Sequence, residues 1–317
     1  MDRILRIGTR ESELAVWQAT QVKLLLQQQN IKAELVYVKS EGDIDLVTPL
    51  YAMGVQGVFT RTLDAALLND RIDIAVHSMK DVPVDLPEGI RQTAILKRAS
   101  YKDLFVFKGD KHDIEKVLHT DDNVEIYDFT IATSSIRRKA QWLHRYPQHN
   151  IENLRGNVNT RLRKVVEQLQ WNGAIFAAAG LERINLRPEN SIELDWMLPA
   201  PAQGAIMIVC RTNDADAFES CSAFNNPATA ICTKVERDFL KALMGGCSTP
   251  ISALAEIKDD TIFFKGNICD VAGKDVVEIE EQCSVNDAAT LGFKAADKIL
   301  KSETALEIIK QIRDAKN

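Results

Sequence analysis

Two short segments hold residue types that could do chemistry. In His77-Ser78-Met79-Lys80-Asp81-Val82-Pro83, an ammonium and a carboxylate stand together where the apolar run Ile72 to Val76 ends. A carboxylate held there can act as a general acid or base, or stabilise a cation in a substrate. A surface salt bridge is the ordinary competing reading of the same pair. His77 titrates as well, but a histidine closing an apolar strand reads first as a satisfied core residue. In Gly245-Gly246-Cys247-Ser248-Thr249-Pro250, the glycines and the proline describe a tight turn that keeps a thiol out of regular structure. Such a thiol can be a nucleophile or a point of covalent attachment. The other cysteines, Cys210, Cys221, Cys232, Cys269 and Cys283, lack CxxC spacing, and most read as small buried hydrophobes. No metal is expected.

Charge is the next signal. The chain has 317 residues, with 39 Lys plus Arg against 45 Asp plus Glu and a net charge of -6. This composition is ordinary for a globular protein of two or three domains and excludes disorder, collagen and coiled coil. No apolar run approaches the roughly 18 residues needed to cross a bilayer, and Met-Asp-Arg-Ile-Leu-Arg does not begin a secretory signal. A cytoplasmic location without membrane attachment is therefore expected. Against the acidic total, the segment from Thr133 to Lys164 holds Arg137, Arg138, Lys139, Arg145, Arg155, Arg161, Arg163 and Lys164 with one acid, Glu152. Solvated basic helix faces are one reading of such a run. Its placement favours another, because Thr133-Ser134-Ser135 and Arg155-Gly156-Asn157 both open helices, whose N-termini attract anions. Guanidinium pairs there suit carboxylates. Arg10-Glu11-Ser12 repeats the arrangement. Trp142 and Tyr146 interleave with the cations, yet no helix-turn-helix, RNP or zinc-finger signature is present. The expected partner is a small polyanion between two lobes, not a nucleic acid.

The elements that must position these groups alternate strand and helix. Ile4 to Ile7, Leu35 to Val38 and Ile72 to Val76 read as strands, with helices at 14–26 and about 59–68. A second unit follows, with strands at Leu104 to Phe107, Thr130 to Ala132 and Ala174 to Ala178 and helices after Ser135 and Asn157. This grammar predicts α/β lobes with mixed, mostly parallel sheets and ligands at the strands' carboxyl ends. After Pro201 the chain returns to a sheet at Ile206 to Cys210. The last hundred residues switch to an α+β pattern: a helix at 228–243, strands at 251–256, 262–267 and 276–280, and a terminal amphipathic helix.

Six motifs in order resemble the porphobilinogen deaminase (hydroxymethylbilane synthase) family. They are Arg10-Glu11-Ser12-Glu13-Leu14-Ala15-Val16-Trp17-Gln18, Ile74 to Pro83, Thr133-Ser134-Ser135-Ile136-Arg137-Arg138, Leu154 to Leu162, Ala179-Gly180-Leu181-Glu182-Arg183 and Gly245-Gly246-Cys247. The resemblance implies two lobes like those of periplasmic binding proteins plus a smaller α+β domain: 1–98 with 202–220, 102–198 and 224–317. It implies a monomer whose Cys247 holds a dipyrromethane cofactor through a thioether, and whose Asp81 serves the acid/base steps as porphobilinogen loses ammonia. An azafulvene cation is then attacked by the free α-carbon of the growing chain. Four additions and a hydrolysis release the linear tetrapyrrole hydroxymethylbilane. Each pyrrole carries an acetate and a propionate, which accounts for a basic cleft. Cofactor and substrate binding is implied for Arg10, Ser12, Gln18, Asp43, Phe59, Ser78, Lys80, Thr133, Ser134, Ser135, Arg137, Arg138, Arg155, Gly156, Arg161, Arg183 and Gln203. Departures from the family pattern are Val47 for an acid, Ala52 and Gln56 for loop lysines, and Ala132, Asn159 and Ala202 for glycines. A non-catalytic two-lobed binder of a polyanion is the reading from another class, but it has no use for the Cys247 turn or the Asp81 carboxylate.

Overall fold

A computed structural model describes residues 3–39, 60–119, 129–243 and 249–314. The first sheet is built from β1 (Leu5–Thr9), β2 (Ala33–Tyr37), β3 (Ile74–Ser78), β4 (Ile90–Ile95) and a strand from much later in the chain. The second holds β5 (Asp103–Phe107), β6 (Thr130–Ala132), β7 (Asn150–Glu152), β8 (Gly173–Ala177) and β9 (Ser191–Glu193). The late strand is β10 (Ile206–Arg211). Strand order is β2-β1-β3-β10-β4 in one sheet and β7-β6-β8-β5-β9 in the other.

The two orders match position by position. In each lobe three parallel strands come first, and the fourth place goes to a strand reached by crossing from the other lobe: β10 lies antiparallel between β3 and β4, and β5 antiparallel between β8 and β9. The pairings in each sheet are thus half parallel and half antiparallel, yet four of its five strands run in one direction, so both sheets are mixed and mostly parallel as the sequence predicts. A crossing strand enters from the far end, and its direction is opposite to that of a strand returned by a βαβ turn.

Helices cover the sheets: α1 (Glu13–Gln28), α2 (Arg61–Leu68), α3 (Lys111–His119), α4 (Ile136–Arg145), α5 (Val158–Glu167), α6 (Ala178–Glu182) and α7 (Ala215–Ser222). In α1, Ala15, Ala19, Val22 and Leu26 recur at helical spacing and are buried. Of these, Ala19, Val22 and Leu26 pack with Leu5, Ile7, Ile74 and Val76 of the strands beneath. The second lobe buries Trp142 against Phe105 at 5.2 Å between ring centroids.

The third unit joins α8 (Pro227–Ala242) to the antiparallel meander β11 (Ile251–Lys258), β12 (Thr261–Cys269) and β13 (Val276–Ser284), followed by α9 (Leu291–Ile299) and α10 (Glu303–Asp314). Asn226 caps α8 through its side chain, with Pro227 in the first turn. Phe239 of α8 meets Phe264 of β12 edge-on at 5.1 Å inside the core. The single terminal helix expected from sequence is two helices.

Glu236 of α8 ties the segments that cross between the lobes to the third unit. Its fully buried carboxylate accepts from Arg98 Nη1 at 2.6 Å, Ala202 N at 2.6 Å and Ala255 N at 2.8 Å. Arg98 Nε also donates to the Gln203 carbonyl at 2.8 Å. Both crossing segments are thereby fastened to the third unit. Ala202 has φ +63°, a left-handed conformation that favours glycine. The glycine usual in the family at this position thus has a backbone reason. Gly204 is restricted on two counts: φ is +88°, and a Cβ there would stand 2.7 Å from the Ala99 and Ser100 carbonyl oxygens.

Candidate active site

The carboxyl ends of β1, β3, β6 and β8 face one cavity of about 720 Å³ between the two lobes. Of the residues expected to bind, Arg10, Ser12, Gln18, Ser78, Lys80, Thr133, Ser134, Ser135, Arg137, Arg138, Arg155, Gly156, Arg161, Arg183 and Gln203 all line it, as does Asp81. Asp43, Phe59 and Cys247 lie outside the described residues, as do Val47, Ala52 and Gln56.

The helix openings are built as read from sequence. Ser135 caps α4, its hydroxyl accepting from Arg138 N, and Asn157 caps α5 by accepting from Thr160 N at 2.9 Å. Thr133 Oγ1 accepts from Ser135 N at 3.2 Å, and Ser134 Oγ donates to the Leu154 carbonyl at 2.5 Å. These hydroxyls shape the loops that carry the arginines. Ser12 occupies the N-cap of α1 without a side-chain cap bond. Gln18, buried on α1, donates from Nε2 to Ser78 Oγ at 2.9 Å and so fixes the end of β3.

Arg137 and Arg138 are held from behind. Arg137 Nη1 donates to the Leu198 carbonyl at 2.6 Å and Arg138 Nη1 to the Ile175 carbonyl at 2.8 Å. Their Nη2 groups share Asp103, at 2.7 Å to Oδ2 and 2.8 Å to Oδ1. Both side chains are buried, and the Nε of each has no hydrogen-bond partner. An unsatisfied buried donor costs roughly 1–3 kcal/mol, so these two N–H groups leave hydrogen-bonding capacity unspent in residues that line the cavity. Asp103 was not legible as a site residue. Burial raises its pKa, but Arg137 and Arg138 override that and hold the carboxyl well below its usual range.

Asp103 also reaches the catalytic candidate's neighbour. Gln203 Nε2 donates to Asp103 Oδ1 at 2.9 Å, while its Oε1 accepts from Lys80 Nζ at 3.3 Å. Burial, with Arg138 and Arg137 nearby, pushes Lys80 down to about 8 against the opposing pull of Asp81 and Asp103. Arg161 is lowered to about 10 by burial and by Arg138 and Arg155, and Arg183 to about 10 by burial. Arg161 Nε donates to the Gly156 carbonyl at 2.7 Å, and Arg183 Nη2 to the Gly204 carbonyl at 2.7 Å.

Asp81 closes a one-turn 3₁₀ helix, Met79–Asp81, that follows β3 directly. Its side chain is half-buried and lines the cavity beside Lys80, which excludes the surface salt-bridge reading. His77 is buried as a core residue should be, but Nε2 has no hydrogen-bond partner and the ring also lines the cavity. The expectation of a satisfied core histidine is corrected on that point. Burial and Arg10 lower its pKa to about 4 and keep it neutral. Among the departures, Ala132 is buried within β6, whereas the Asn159 amide crosses between the lobes to Glu13 Oε2 at 2.7 Å.

No group of His, Cys, Asp and Glu among the described residues could hold a metal, and no helix among them is long and apolar enough to cross a membrane. The site combines fixed guanidinium groups with the Lys80 ammonium and the Asp81 carboxylate. Those features define a two-lobed α/β protein with a cation-rich cleft of the kind that suits a small polycarboxylate. The family model described as "Porphobilinogen deaminase, dipyromethane cofactor binding domain" matches residues 5–219, and "Porphobilinogen deaminase, C-terminal domain" matches residues 230–301. The chain belongs to the porphobilinogen deaminase family. Porphobilinogen deaminase of Campylobacter hominis is 37% identical over 318 residues, covering 98% of both chains. That of Acidithiobacillus ferrooxidans is 38% identical over 319 residues, covering 99% of this chain and 100% of the other. Among solved structures, the methionine-binding protein MetQ aligns at 12% identity and a TM-score of 0.44, over 70% of this chain and 89% of that one.

Proposed function

We propose that this chain is a porphobilinogen deaminase, a transferase of tetrapyrrole biosynthesis that joins four porphobilinogen molecules head to tail, releases ammonia at each addition and hydrolyses the product free as hydroxymethylbilane. The observation that carries this reading is the Asp81 carboxylate at the end of β3, facing buried Arg137 and Arg138 and half-buried Lys80 and Arg161 across one cavity. The dipyrromethane cofactor of the family fits those donors: its acetate and propionate groups supply acceptors for the buried Nε–H groups of Arg137 and Arg138. When bound, it supplies the pyrrole α-carbon on which the chain is extended.

The residues of the chain divide the work by charge. The arginines and Lys80 hold substrate carboxylates, and Gln18 fixes Ser78 beside them. Asp81 stabilises the cation left when the protonated aminomethyl group departs as ammonia. It then receives the proton that the attacking α-carbon gives up as the new carbon–carbon bond forms.

In this proposal Cys247 carries the cofactor through a thioether, Asp43 and Phe59 complete the binding set, and the units divide at 1–98 with 202–220, 102–198 and 224–317. The protein acts as a cytoplasmic monomer that engages neither membrane nor nucleic acid. Ammonia and tetrapyrrole yields measured with purified protein test the activity. Four ammonia molecules per hydroxymethylbilane are expected, and Asp81→Asn keeps the fold while losing turnover. Near-normal turnover of Asp81→Asn would refute the role of that carboxylate, and no tetrapyrrole from the unaltered chain would refute the function.

A further inference from the structure

We infer that Arg237, on the helix of the third unit, is the positioning residue for the Asp81 turn. Its Nη1 donates to the carbonyls of Met79 at 3.4 Å and Val82 at 2.9 Å, and its Nη2 to those of Pro83 at 2.6 Å and Val84 at 3.1 Å. These four acceptors flank Asp81 on both sides. The segment needs such a partner: beyond the bond from Val82 N to the Met79 carbonyl at 3.1 Å, residues 82–86 belong to no helix or strand, and Pro83 has no N–H to give. A planar, permanently charged fork satisfies several carbonyls at once with charge-assisted bonds. One helical turn further on, Lys241 pairs with Asp85 at 2.5 Å, so the same face of α8 grips the segment twice.

The preceding residue, Glu236, fastens both crossing segments, including the backbone of Ala202 next to Gln203. Consecutive side chains of α8 thus hold the Asp81 turn and the crossing segment that carries Gln203, the Lys80 partner. The helix ends at Ala242, five positions before Cys247 in the chain. One rigid element therefore registers the catalytic carboxylate against the domain assigned the cofactor cysteine.

A displacement of about 1 Å in a catalytic group costs on the order of 100-fold in rate. Arg237→Leu is thus expected to lower kcat by roughly 10- to 100-fold while the KM for porphobilinogen stays within about threefold and the cofactor mass is retained. Arg237→Lys restores part of the loss, because an ammonium still reaches one or two of the carbonyls. The measurements are intact mass, then kcat and KM for the full-length chain and both variants. Unchanged kcat in Arg237→Leu, a rise in KM with kcat intact, or a lysine variant no better than leucine would each overturn the assignment. Should Arg237→Leu not fold, Arg237→Gln, a shorter polar side chain whose amide stops at the level of Nε, decides in its place: reduced kcat supports the assignment and normal kcat overturns it. The inference rests on the deaminase reading. An inactive wild type without cofactor would defeat that reading, whereas an active wild type beside an unimpaired Arg237→Leu defeats only the role of Arg237.

Discussion

Lys80 makes substrate capture depend on pH in a direction the structure determines. Its ammonium is 3.3 Å from Gln203 Oε1 and is held down to about 8 by burial and by Arg138 and Arg137. A base whose pKa is lowered is charged below that value and neutral above it. A carboxylate ligand prefers the charged form, so capture is complete below pH 8 and falls as pH rises through it. One unit above the pKa, about a tenth of the ammonium remains, which corresponds to a tenfold loss or about 1.4 kcal/mol. The assay is kcat/KM for porphobilinogen across neutral to alkaline pH, a quantity that reports groups of the free enzyme. Lys80→Arg run in parallel keeps its charge throughout. Titrations of the substrate are common to both proteins and cancel in their ratio. The ratio of variant to wild-type kcat/KM is expected to climb toward tenfold per pH unit above 8. A flat ratio would refute the argument that Lys80 titrates at the site.

Asp103→Asn leaves two buried guanidinium groups without their shared anion, a change expected to lower stability by roughly 3–5 kcal/mol and to raise KM, because Arg137, Arg138 and Gln203 lose a common anchor. Chemical denaturation and steady-state kinetics check both effects. Glu236→Ala removes the acceptor of Arg98, Ala202 N and Ala255 N and is expected to cost a similar roughly 3–5 kcal/mol in denaturation. A loss below about 1 kcal/mol would contradict its role as the junction. Gln56→Lys restores a loop cation common in the family and is expected to lower KM. An unchanged KM and an unchanged distribution of chain-elongation complexes would show that this loop does not grip carboxylates.

What was legible in the sequence was local. The hydroxyl and amide caps at Ser135 and Asn157 signalled the helices that open at the cleft, and the surplus of arginines around them pointed to a polyanion. The run from Ile74 into Asp81 read correctly because strand period and Pro83 both act within a few residues. What escaped depends on distant partners. Asp103 is separated from Arg137 and Arg138 by 34 and 35 positions and looks like the first residue of an apolar strand. Arg237 sits on an amphipathic helix, where a charge reads as solvated until the Asp81 turn is placed against it. The crossing of β5 and β10 between lobes, which divides each sheet evenly between parallel and antiparallel pairs, leaves no periodic trace. By contrast, the break between α9 and α10 carried a missed local signal: Ser302 precedes the last helix, and its hydroxyl accepts from Ala305 N at 3.4 Å.

The account depends most on Cys247 as the anchor of a dipyrromethane built from the enzyme's own substrate. Intact-mass measurement of the purified chain and of Cys247→Ser, before and after incubation with porphobilinogen, tests this directly. The expected result is a mass above that of the bare chain by two condensed pyrrole units, absent from Cys247→Ser under both conditions. A wild-type mass equal to that of the bare chain after incubation, or the same added mass on Cys247→Ser, would contradict it.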